Sequence, residues 1–103
     1  MAVELDFNTL AGTYNYTLIS TNATTTIKSL PGVFAGVYVT NAGTSWAATV
    51  YDSLTGSGTV VLVQATLALG NYTPVSGCGI ITQIGLTIVT SGTTAGTLLI
   101  LWR

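Results

Sequence analysis

The stretch Gly32–Ser53, GVFAGVYVTNAGTSWAATVYDS, decides how this chain folds. Two segments of it, Val33–Thr40 and Ser45–Tyr51, consist of β-branched, aromatic and small residues, the types that fit a pleated, half-buried surface. Asn41-Ala42-Gly43-Thr44 lies between them with the composition of a hairpin loop, so the spacing predicts two strands joined by a tight turn. Alternation predicts their faces. Val33, Ala35, Val37 and Val39 on one strand and Trp46, Ala48 and Val50 on the other turn toward one core, and Phe34, Tyr38 and Tyr51 point the opposite way.

The same grammar extends to either side. Thr13–Ser20 alternates Tyr14, Tyr16 and Leu18 against Thr13, Asn15 and Thr17, a plain strand. Thr24–Lys28 is a short second strand with Ile27 inward, and Pro31-Gly32 ends it at an edge or corner, because proline cannot donate to a ladder. Asp52–Gly58 is a loop in which the Asp52 carboxylate is expected to accept bonds from turn amides. Thr59–Ala68 is apolar on both faces, Val60 and Leu62 on one and Val61, Val63 and Ala65 on the other. Such a strand is central or covered by a partner. Gly70-Asn71 begins a turn and Pro74–Gly79 is a loop. Ile80–Thr90 reads as one long strand with a bulge at Gly85, and Thr97–Trp102 as the last strand. The expectation is an all-β protein, an antiparallel β-sandwich or jelly roll of about seven to eight strands. One domain covers residues 13–103, preceded by an N-terminal arm or edge strand at residues 1–12.

Composition narrows the function. Charged residues are 5% of the chain, namely Glu4, Asp6, Lys28, Asp52 and Arg103, and the net charge is −1. No basic cluster exists to neutralise phosphates, so nucleic acid is not an expected partner. Hydrophobic residues at 49% oppose disorder, and the longest apolar run, Leu98–Trp102, is too short for a spanning helix. A transmembrane barrel would exhaust the chain, and its alternate faces lack the charged positions of a lumen, so no membrane partner is expected. Met1–Asn8 places acids where a leader peptide needs basic residues, so no secretion signal is expected and synthesis in a reducing cytoplasm is predicted. The single Cys78 cannot close an internal disulfide and reads as a buried thiol.

Chemistry is sparse. With no His there is neither a His-based triad nor an imidazole metal site. Glu4 and Asp6 fall short of the oxygen count a calcium ion takes, and Gly56-Ser57-Gly58 lacks the Lys of a phosphate loop. The expectation is a non-enzyme without cofactor or metal. Trp46, Tyr14, Tyr16, Tyr38 and Tyr72 form a candidate sugar-stacking platform, which keeps a carbohydrate-binding or adhesion module as an alternative.

The order of features carries a resemblance. Asn22-Ala-Thr-Thr-Thr-Ile-Lys28, then Pro31-Gly32, a Val-rich strand, Thr49-Val-Tyr-Asp52 and a Ser-Gly loop are followed by Gly85-Leu-Thr-Ile-Val-Thr-Ser-Gly92 and a terminal apolar strand. Together these resemble the small β-sandwich virion proteins of tailed bacteriophages that sit on capsids as decoration or cement proteins. The resemblance implies a structural protein on the capsid surface. It would bind the major capsid protein and act in many copies, often as a homotrimer; a tail or head-fibre component is the alternative within the class. Candidate assembly residues are Glu4, Asp6 and Phe7 in the arm, and Val61, Val63, Leu99 and Leu101 as an additional apolar face. Sparse charge agrees, because strand edges without Lys or Glu invite pairing.

Overall fold

A computed structural model describes residues 14–73 and 79–103. The proposed arm at residues 1–12, with Glu4, Asp6 and Phe7, lies outside them, as does Cys78 in the predicted Pro74–Gly79 loop. The described residues form nine strands: β1 (Asn15–Ile19), β2 (Thr24–Lys28), β3 (Gly32–Asn41), β4 (Ala47–Asp52), β5 (Thr59–Gln64), β6 (Gly70–Tyr72), β7 (Ile80–Thr82), β8 (Leu86–Ser91) and β9 (Thr97–Trp102). Every pairing among them is antiparallel. One sheet runs β1-β9-β3-β6, with β7 on the other half of β3; the second runs β2-β8-β4-β5. The all-β sandwich expectation holds, and this interleaving of early and late strands is the jelly-roll order.

The opening hairpin does not form. β3 pairs with β9, β6 and β7 in one sheet, whereas β4 pairs with β8 and β5 in the other. Residues 42–46 are therefore an arch that carries the chain across the core. The alternation holds for Val37, Val39, Trp46, Ala48 and Val50, which are all buried, yet two inward-facing strands satisfy it equally well across a sandwich or side by side in one sheet. The arch is held by backbone bonds in both directions between Thr44 and Thr94, with Gly43 at φ +64° and Ser45 at φ +49°. The true hairpin is β4–β5, closed through residues 53–58.

The core lies between the sheets. Phe34, Val37, Val39, Leu98, Ile100 and Ile19 come from one side, and Ala48, Val50, Leu86 and Ile88 from the other, with Trp46 and Leu67 from the connections. Ile27 packs against this core as expected. Phe34 was expected to point away, but it is fully buried. A bulge explains the change of phase: Phe34 faces Trp102 and Gly36 faces Leu101, so Ala35 is an extra residue. Val33 and Ala35, placed inward by strict alternation, are only half-buried as a result.

Two other expectations change. Ile80–Thr90 is not one strand: β7 and β8 belong to different sheets, and Gln83–Gly85 crosses between them. The β5 segment ends at Gln64 and is an edge, not a central strand, with Val60 and Val63 exposed. Buried threonines secure the crossings. Thr90 Oγ1 donates to the Thr21 carbonyl at 2.6 Å, Thr87 Oγ1 donates to the Ser53 carbonyl at 2.8 Å, and Thr82 Oγ1 accepts from the Gly32 amide at 3.1 Å. Among the described residues no buried side-chain polar atom lacks a partner. β1 begins where β9 ends, Asn15 opposite Trp102, so both ends of the described chain lie at one pole.

Candidate interaction surface

On the sheet containing β1, side chains that do not enter the core form a second, outward row. Pairing sets Tyr16 beside Leu101 and Leu18 beside Leu99, and Leu99 in turn beside Tyr38 of β3. Paired residues share a face, so Tyr16, Leu18, Tyr38, Leu99 and Leu101 make one apolar surface. Tyr16 is 66% exposed, Leu18 56% and Tyr38 42%, while Leu99 and Leu101 are half-buried among them. None of these five carries a charge. Two of the four predicted apolar interface residues thus lie on this surface.

The other two do not join them. Val63 is exposed on the outside of the second sheet, and Val61 sits at a bulge opposite Val50 and Tyr51, half-buried against the core. Val61 and Val63 therefore do not form one patch with Leu99 and Leu101. Sequence reasoning named Leu99 and Leu101 but left Tyr16 and Leu18 without a direction. Their alternation with Thr17 and Ile19 was visible; which set faced inward was not. Ile19 and half-buried Thr17, whose Oγ1 accepts from the Trp102 indole at 3.0 Å, take the inner side.

The aromatic platform breaks up as well. Trp46 is completely buried, and its indole N–H donates to Asn22 Oδ1 at 2.8 Å. Tyr72 is half-buried, with its hydroxyl accepting from the Ala68 amide at 2.9 Å. Of the platform residues, only Tyr14, Tyr16 and Tyr38 remain exposed, Tyr16 and Tyr38 on the first sheet and Tyr14 just before β1.

The pole at which β1 begins has its own character. Exposed Leu30, Leu54 and Ile84 sit on the three loops there, after β2, after β4 and between β7 and β8. Lys28 Nζ lies 5.9 Å above the Trp102 ring and the Arg103 guanidinium 5.6 Å from the Tyr14 ring. Both cations of the chain are therefore at this pole. Asp52 is there too. Its carboxylate accepts amide bonds from Gln83 at 2.9 Å, Ile84 at 2.9 Å and Gly85 at 3.3 Å. Desolvation pushes the Asp52 pKa up, but the three amide bonds outweigh it and hold the group below its ordinary 3.8. The expectation that Asp52 serves turn amides is right, though the turn lies some thirty residues further along the chain. Ser53 Oγ, not Asp52, caps the loop that follows, accepting from the Thr55 amide at 3.1 Å.

Among the described residues there is no group of three or more acidic, Cys or His side chains able to hold a metal, and no helix long and apolar enough to cross a membrane. No protein-family model, no curated protein and no solved structure matches the chain.

Proposed function

We propose that this chain is a structural virion protein of a tailed phage, a head decoration or cement protein that binds the assembled shell in many copies. The observation that supports the reading is the exposure of large apolar side chains on a nearly uncharged sandwich: Tyr16, Leu18 and Tyr38 on one outer face, Val60 and Val63 on the other, and Leu30, Leu54 and Ile84 at one pole. Surfaces of this kind are at home in contact with other protein. In the capsid reading the pole carrying Leu30 and Ile84 faces the major capsid protein, because its three loops expose apolar side chains and both cations lie at the same pole. Purified protein mixed with expanded capsids should co-sediment with them, and Leu30→Asp with Ile84→Asp should abolish uptake while leaving the far-UV spectrum intact. No uptake by the unmodified protein defeats the capsid reading.

Glycan binding is the second reading, supported by Tyr14, Tyr16 and Tyr38 on one face. Trp46 is internal and the Tyr72 hydroxyl is engaged by the Ala68 amide, so the test falls on the exposed tyrosines. Tyr16→Ala with Tyr38→Ala should then remove any signal on a glycan array.

A further inference from the structure

A two-sheet sandwich has open edges, and among the described residues this one protects all but one of them. In the second sheet, β2 carries a register break between Thr26 and Lys28 and ends in a charged side chain, while β5 is broken by the bulge opposite Val50 and Tyr51. In the first sheet, β6 and β7 are three residues each and share one side of β3. Breaks, charges and short length are the usual means of keeping an edge from pairing with another chain. β1 has none of them. Its register with β9 is unbroken from Asn15 to Ile19, it holds no charge, proline or glycine, and among the described residues nothing pairs with its far side.

We infer that β1 is the docking edge for a second copy of this chain, paired antiparallel about Thr17. In that arrangement the outer-facing positions of Asn15–Ile19 are self-complementary, while Asn15 of each copy lies opposite Ile19 of the other on the inner side. Thr17 meets Thr17, and Tyr16 of each copy meets Leu18 of the other on the outer face, an aromatic–aliphatic cross-strand pair made twice. A two-fold contact demands this property, since each copy offers the same patch. The absence of charge from β1 and from Tyr38, Leu99 and Leu101 lets identical faces approach without repulsion. The two sheets then run on as one, and their apolar outer rows become continuous. This inference does not rest on the capsid reading. It concerns the free protein, so either can fail alone. It also gives a two-fold unit where the family resemblance implied three copies.

The test is sedimentation of the full chain over a dilution series, together with hydrogen exchange of the β1 amides. The unmodified protein should show twice the chain mass, and the β1 amides directed away from β9 should lose protection on dilution. Tyr16→Lys with Leu18→Lys brings a lysine of each copy against a lysine of the other, and should weaken association roughly a hundredfold or more. Val63→Lys, on the other sheet, should leave the mass unchanged. Should the double variant fail to fold, the dilution dependence of exchange in the unmodified protein decides. Three results overturn the proposal: monomer at every concentration, an oligomer indifferent to both lysines, or β1 protection independent of dilution, which would assign that edge to residues 1–13 of the same chain.

Discussion

At the scale of single residues, Asp52 does the work of a small clamp. The loop from Gln83 to Gly85 carries the chain from one sheet to the other, and the carboxylate ties down three of its amides at once. Asp52→Asn removes the charge and one of the acceptors, so a loss of roughly 1 kcal/mol is expected after allowing for solvent access. The pH dependence has a definite sign. A carboxyl held below its unfolded value contributes stability that is complete above about 3.8 and is lost as pH falls through the lower folded value. Thermal melts of the unmodified protein should therefore drop in Tm on acidification below about 4. The Asp52→Asn variant should show a shallower fall over the same window. Parallel profiles for the two proteins would remove Asp52 from the account.

At the scale of elements, the arch between β3 and β4 is the tightest piece of the construction. Gly96 lies against it so closely that a β-carbon there would meet the Asn41 carbonyl and the Gly43 amide, both backbone atoms. Gly96→Ala should cost about 1–3 kcal/mol, as forced overpacking does. Chemical denaturation would measure it, and a neutral result would mean that the arch can shift. The elements also show what the sequence could convey. Strand positions followed from residue type and alternation, and β1, β2 and β9 fall within a residue or two of expectation. Sheet membership did not, because alternation records which side is apolar and not which neighbour supplies the hydrogen bonds. The hairpin reading of Asn41–Thr44 failed for that reason. Phe34 failed for another: the bulge at Ala35 is a property of the β3–β9 register, set by a strand more than sixty residues away. The outer apolar face was half legible. Leu99 and Leu101 could be singled out, yet only the position of β9 between β1 and β3 joins them to Tyr16, Leu18 and Tyr38.

At the scale of the molecule, the last strand is the middle of its sheet. β9 lies between β1 and β3, so the first described strand has no place until the final residues arrive. Deleting residues 97–103 should unfold the whole chain and not merely fray an end, because it removes Leu98 and Ile100 from the core along with both ladders. Loss of the far-UV strand signal and of dispersed amide resonances would register it; a folded truncation would contradict the assigned topology. The same closure has a practical side. Because Asn15 and Trp102 lie side by side, the described chain enters and leaves the sandwich at one pole, and a dye attached at Tyr14 would sit next to one attached at Arg103. The arches at the far pole, residues 20–23, 42–46 and 92–96, would face away from both labels.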